Sequence, residues 1–340
     1  MTFQEVIAAA RGHVGPVCEA CPVCDGSGCK NTIPGPGAKG SGSVFHRNYQ
    51  AWQDILINMD TIVPMEPIDT SFTLFGHTLS IPVFAAPIGA VHNHYGNELT
   101  EEVYDNALVK GCRDAGIAAF TGDGLADSFF IAGCEAMAHA GFAIPTVKPW
   151  SRDLVFQKID YAKARGAKIM AMDVDAAGLP FLKNMVPPSG SKSVQELREI
   201  IEYAGVPFIL KGIMTPNGAR KALEAGASAI IVSNHGGRVL DQTPATATVL
   251  PSIAEAVGRE MTVLVDGGIR TGIDVFKALA LGADAVLIGR PFVTSVYGAG
   301  SDGIGIYVQK LTSELRDTME MCGIHRLSEI DASCIWHSEK

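Results

Sequence analysis

The stretch TVLVDGGIRTGIDVFKALALGADAVLIGRP, residues 262–291, carries the pattern on which the rest of the chain is built. TVLV is a continuous apolar run ending in Asp266, Gly267 and Gly268. TGIDVFKALALGA then has helical periodicity, and AVLI is a second apolar run ending in Gly289 and Arg290. Strand, helix, strand in this order asks for parallel pairing. Parallel strands covered on both faces are apolar throughout instead of alternating.

Six further runs repeat the pattern: IPVFAAP (81–87), IAAFTG (117–122), AIPTVK (143–148), KIMAMDVD (168–175), PFILKG (207–212) and SAIIVSN (228–234). Each precedes a segment with helical periodicity, such as TPNGARKALEAGA. Eight such units in about 250 residues predict an α/β chain folded as a (β/α)8 TIM barrel. A doubly wound sheet would carry a Gly-rich dinucleotide turn after its first strand, and PIGAVHNHYG is not one.

The C-terminal ends of the eight runs carry Pro87, Thr121, Lys148, Asp175, Lys211, His235, Asp266 and Arg290. A barrel gathers these ends on one face, where barrel active sites lie, so ionisable groups scattered in sequence converge on one pocket. The last two strands end in DGGIRTG and IGRP. Their glycines let backbone N–H groups approach an anion, and Arg270 and Arg290 add positive charge. Barrels commonly bind phosphate after strands seven and eight, so a phosphate-bearing cofactor is expected there.

Residues 1–80 read as a Cys/Gly-rich extension plus a hairpin, and residues 81–340 as the barrel. SFTLFGHTLSIP predicts the hairpin, turning near Gly76 and closing the barrel floor. NTIPGPGAKGSGSVFHRN (31–48) reads as a loop, and GIGIYVQKLTSELRDTMEMCGI as a closing helix. The chain has 340 residues, 47% of them hydrophobic, enough for a large core. A net charge of -9 argues against a nucleic-acid partner. No apolar run reaches the roughly 18 residues of a membrane span. The start, MTFQEVIAAARGHVG, is an amphipathic helix without signal-peptide features, so a cytoplasmic location is expected.

Eight cysteines are present, four of them in CEACPVCDGSGC (Cys18, Cys21, Cys24, Cys29). Their C-x2-C-x2-C-x4-C spacing suits an iron–sulfur cluster or tetrahedral zinc, with redox-active or free thiols as the other reading. Such a cluster could pass electrons to an acceptor other than oxygen.

SNHGGRVLD, followed by DGGIRTGIDVFKALALGADAVLIGRP, resembles the FMN-dependent 2-hydroxy acid oxidase and dehydrogenase family. The likeness is dense from Pro207 to Gly323, looser from Asn48 to Asp175, and slight over the first 45 residues. It implies an FMN-binding barrel, a small-molecule substrate, an electron acceptor that is oxygen or a redox protein, and a homo-oligomer. His235 matches the catalytic base and Asp175 its paired carboxylate. Arg238 matches the arginine that binds the substrate carboxylate, and Lys211 the lysine beside the flavin. Pro87, Ile88 and Gly89 match the turn against the flavin ring. Asp266, Gly267, Gly268, Arg270, Gly289 and Arg290 match the ribityl-phosphate site. Thr146 and Asp173 are assigned to the flavin as well, Asp173 standing where the family has a threonine.

The substrate shell departs from the family. Lys148 stands where a substrate-contacting tyrosine is usual and is assigned to substrate. A second tyrosine is missing from TIPGPGAKGSG, and DAAGLPFLKN offers only Lys183 in place of a second arginine. The leading expectation is oxidation of a 2-hydroxy acid, by proton abstraction at His235 and reduction of FMN. A flavin-dependent isomerase and a non-catalytic flavin-binding protein are the alternatives.

Overall fold

The computed structural model describes residues 1–182, 185–186 and 189–336, and its eight parallel strands close into a barrel. Lys183 lies outside the described residues. The strands are β1 (Val83–Ala85), β2 (Ala118–Thr121), β3 (Ala143–Val147), β4 (Met170–Asp173), β5 (Phe208–Ile213), β6 (Ala229–Val232), β7 (Thr262–Val265) and β8 (Ala285–Ile288). Each pairs with its neighbour in chain order, and β8 closes on β1 with Val286 opposite Val83 and Ile288 opposite Ala85. Every expected run contributes one strand. Closure excludes the doubly wound alternative, because an open sheet leaves two edges.

Successive side chains on a strand point to opposite faces, so one set fills the barrel and the other meets the helices. Phe84, Phe120, Ile144, Ala171, Ile209, Ile231, Leu264 and Leu287 form the interior cluster. Val83, Ile230, Val263 and Val286 belong to the larger core under the helices. Two residues beyond each interior position comes the next inward one. On β4 and β5 these are Asp173 and Lys211; past the end of β7 it is Asp266, and past the end of β8, Gly289. The interior is apolar below and ionic above for this reason.

The expected hairpin is present, Phe72–Leu74 pairing with His77–Leu79. Leu74 and Leu79 join the interior cluster, and Phe72 meets Phe84 edge-on at 6.3 Å. The hairpin therefore fills the floor. The N-terminal helix Phe3–Ala10 starts at a capping box made by Thr2 and Glu5, and lies on the long helix Arg290–Met321, Phe3 stacking on Tyr307 at 4.4 Å. That long helix is kinked at Ala299 and Gly300.

Two expectations need correction. Residues 43–48, read as loop, begin the helix Ser43–Gln53. Val44, Phe45, Asn48 and Trp52 fall on one face of it and are buried, a periodicity obscured by the Gly/Pro run before it. The strand expected over 168–175 stops at Asp173, and Asp175 sits on the short 3-10 turn Val174–Gly178.

Candidate active site

A cavity of about 450 Å³ opens at the C-terminal ends of the strands. Pro87, Ile88, Gly89, Lys148 and Lys211 line one part of it. His235, Arg238, Asp266, Gly267, Gly268, Arg270, Gly289 and Arg290 line the rest. Thr121, Thr146, Asp173 and Asp175 do not line it. Thr146 was assigned to the flavin, but it lies one layer below Lys148 on the inward face, fully buried, with its hydroxyl turned to the Ile144 carbonyl. Asp173 lies under two lysines instead of facing the cavity.

The strand-six tip answers to a tight backbone. His235, Gly236 and Gly237 all have positive φ (56°, 60° and 83°). Such a conformation is uncommon and costly for a residue with a side chain, so His235 is held there by its surroundings. Gly237 packs its bare Cα face against Ala38 and Val44, where a Cβ would come within 2.9 Å of both. The His235 N–H donates to Ser233 Oγ at 3.0 Å. Its ring Nδ1 lies 3.1 Å from Asp175 Oδ1. With Nδ1–H donating to Asp175, Nε2 is left as the acceptor on the cavity side.

Beside this pair runs an ionic ladder. Asp173 Oδ1 is 3.1 Å from Lys211 Nζ and its Oδ2 is 3.3 Å from Lys148 Nζ. Lys211 also reaches Asp266 Oδ2 at 3.8 Å. Burial alone would raise Asp173, but Lys211 and Lys148 outweigh it and hold the carboxyl well below the usual range. Burial likewise opposes the Lys211 charge, while Asp173, Asp175 and Asp266 raise its pKa above the ordinary value. Asp266 is raised, chiefly by burial. Among the described residues, Asp173, Asp175 and His235 are the only trio of possible metal ligands within 4.8 Å of one another. Two lysines already meet the Asp173 charge, which leaves the trio little free negative charge for a cation.

The arginines are committed differently from expectation. Arg290 donates from Nε to Pro36 O at 2.6 Å and from Nη2 to Gly37 O and Gly236 O, and its guanidinium lies 3.7 Å over the Phe45 ring. Arg270 donates to the Cys24 and Ile269 carbonyls. Arg238 donates from Nη1 to Gly35 O at 2.6 Å and Gly37 O at 3.2 Å, and its Nη2 faces His94 Nε2 at 3.4 Å. Its pKa falls to about 10 through burial and the Arg290 charge, which leaves it cationic at neutral pH. The Gly/Pro loop of the extension thus ties Arg238 and Arg290 by carbonyls, while Arg270 is tied by the cysteine loop and by its own neighbour.

Sequence reasoning missed the braces of the site. Asn48 and Asn234 exchange amide hydrogen bonds of 2.8 and 2.9 Å, and Trp52 Nε1 donates to Gly267 O at 2.7 Å. Asp123 accepts from Trp150 Nε1, the Lys148 N–H and Lys158 Nζ, fixing the strand-three loop. His94, on the helix Val91–Tyr95, accepts from the Gly35 N–H at 3.1 Å. The period of buried positions in Ser43–Gln53 is the one local signal that could have pointed to Asn48 and Trp52; the other contacts join distant segments.

The residues at the seventh and eighth strand ends fit a phosphate-bearing flavin. The N–H groups of Gly268 and Gly289 find no protein acceptor among the described residues. Gly268 has φ 89°, and a Cβ there would meet the Asn48 carbonyl, so only glycine leaves this approach open. Asp266 Oδ1 is buried without a hydrogen-bond partner, free to accept from a ligand hydroxyl. Lys211 supplies the cation at the barrel centre.

The four cysteines of the extension line a different cavity, of about 460 Å³. No three of their sulfurs gather within 4.8 Å, which does not match a tetrahedral zinc site.

The family model for FMN-dependent dehydrogenases matches residues 36–186 and 180–337. The peroxisomal (S)-2-hydroxyacid oxidase GLO3 of Arabidopsis thaliana is 33% identical over 328 residues, covering 84% of this chain and 86% of that protein. The L-lactate oxidase of Lacticaseibacillus rhamnosus is 31% identical over 323 residues, 85% of each chain. A mandelate oxidase structure superposes with a TM-score of 0.80 at 24% identity, over 98% of this chain and 97% of that one, and shows the same fold. A mandelate oxidase variant with a monooxide FMN adduct superposes at 0.73 and 26% identity, over 89% and 94%. With the barrel, the flavin corner and these matches together, the chain belongs to the FMN-dependent dehydrogenase family.

Proposed function

We propose that this chain oxidises a 2-hydroxy acid with FMN as its electron acceptor. The observation that carries the reading is the His235–Asp175 contact of 3.1 Å on the rim of a cavity that also holds Arg238 and Lys211. The related oxidases named above act on 2-hydroxy acids and on lactate, which supports the same substrate class here.

His235 Nε2 takes the proton of the substrate, and Asp175 stabilises the imidazolium that forms. Arg238 holds the carboxylate by its remaining donors, a planar match that a lysine lacks. Lys148 adds positive charge at the substrate edge, where the family's tyrosine is missing. Lys211 offsets negative charge developing over the barrel centre. FMN, when bound, supplies the two-electron acceptor. Leu125, Phe129, Leu179 and Phe181 line the outer cavity and favour an apolar group on the acid. The proposal includes a homo-oligomer, on the resemblance, with oxygen or a redox protein as final oxidant. No described helix is long and apolar enough to cross a membrane.

Anaerobic mixing of the FMN-loaded protein with a panel of 2-hydroxy acids tests the reading. Bleaching of the flavin band by at least one acid, without added reductant, is expected. A flavin that stays oxidised against the whole panel overturns it.

A further inference from the structure

The four clustered cysteines take no part in the chemistry above, yet they share one cavity. It lies between the extension and the barrel, and Cys18, Cys21, Cys24 and Cys29 all line it. None of the four is in a disulfide.

Spacing and charge narrow the ligand. A tetrahedral zinc with Zn–S bonds of about 2.3 Å holds its sulfurs about 3.8 Å apart. Among the described residues, no three of these sulfurs lie within even 4.8 Å of one another. A four-iron cluster binds each thiolate through a different iron, so its ligands stand wider apart than those of one ion. Four thiolates on such a cluster give the site net negative charge. Arg11, Arg270, Arg290 and Lys310 line the same cavity. Arg270 holds the cysteine loop directly, with Nε on the Cys24 carbonyl at 2.8 Å and Nη2 at 3.9 Å from Cys24 Sγ.

We propose that Cys18, Cys21, Cys24 and Cys29 hold an iron–sulfur cluster in this cavity. Metal binding displaces the four thiol protons. The location gives the cluster a neighbour. Pro36, Tyr95, Arg270 and Arg290 line both this cavity and the flavin cavity, leaving one layer of side chains between the two.

The test is iron and acid-labile sulfide analysis of the full-length protein, purified without oxygen and then reconstituted with ferrous iron and sulfide. Iron and sulfide in equal amounts, at about four of each per chain, are expected for a four-iron cluster held by four cysteines. A broad visible absorbance beyond the flavin and an EPR signal after dithionite reduction should accompany them. The double exchange Cys21→Ser and Cys24→Ser should remove the iron while FMN content and the far-UV spectrum stay unchanged. Cys322→Ser, outside the cavity, should keep it. Protein that binds FMN normally but takes up no iron and sulfide overturns the proposal, as does zinc uptake alone. So does iron retained in full by the double variant. FMN content is read separately, so failure of the cluster is distinct from failure of the flavin reading.

Discussion

The two sides of the barrel mouth are built by different means. On the side of β4, β5 and β6, the barrel supplies its own chemistry. Lys211 and Asp173 project from strand positions two residues above the apolar interior, and they pair with each other at 3.1 Å. On the side of β7 and β8, the barrel supplies glycines and arginines, but the N-terminal extension fixes them. Arg290 is held by Pro36, which is 254 positions away in the chain. Trp52 and Asn48 brace Gly267 and Asn234 in the same way. Side chains anchored in a closed sheet are precise without outside help, whereas loops need a second segment to hold them.

The largest expected effect lies at the tip of β6, where a barrel strand delivers the side chain and the extension braces its neighbours. His235→Ala should slow flavin reduction by substrate about 10²–10⁴-fold, the usual worth of a general base, while FMN stays bound. Anaerobic stopped-flow measures it, and unchanged reduction kinetics would remove His235 from its role.

Next comes Lys211→Met. It leaves Asp266 without a cation and Asp173 with Lys148 alone. Breaking a buried charge pair costs about 3–5 kcal/mol, so the urea midpoint should drop sharply. A midpoint within error of the parent protein would mean that the ladder relaxes more freely than its burial implies.

The smallest effect probes the junction between the two sides. His94 is pushed from 6.5 down to about 3, first by burial and then by Arg238. The unfolded chain accepts a proton near pH 6.5 that the folded chain refuses, so stability is lost as pH falls below that value. Between pH 7 and pH 6 the loss is under about 1 kcal/mol. His94→Gln, which cannot take the proton, should flatten that part of the profile in chemical denaturation. An identical slope in the variant assigns the titration elsewhere.

The same contrast decides what was legible in the sequence. Lys148, Lys211, His235 and Asp266 could be found because strand ends and period-two alternation are local patterns. Asp175 was found with His235 through the family motif, although it stands on a turn past the strand. Thr146 shares the inward face with Lys148 but lies one layer deeper, because parity gives the face and not the depth. Asp173 faces two lysines that are distant in sequence. The carbonyl ties to Arg238 and Arg290 come from a Gly/Pro run whose own residues carry no periodic signal. The helix Ser43–Gln53 was hidden for the same reason, its buried face starting just after that run.

The floor hairpin has one more consequence. With Leu74 and Leu79 seated in the barrel interior, the described residues close the floor and the site opens at the strand tips. Under the proposed reaction, the oxidised product and whatever next takes the electrons must use that opening in turn. Traffic through one door is sequential: the first visitor leaves before the second enters. Initial-rate plots at several fixed acceptor concentrations should then give parallel lines. Converging lines would mean that electrons leave by another wall, and the one facing the four cysteines is the nearest at hand.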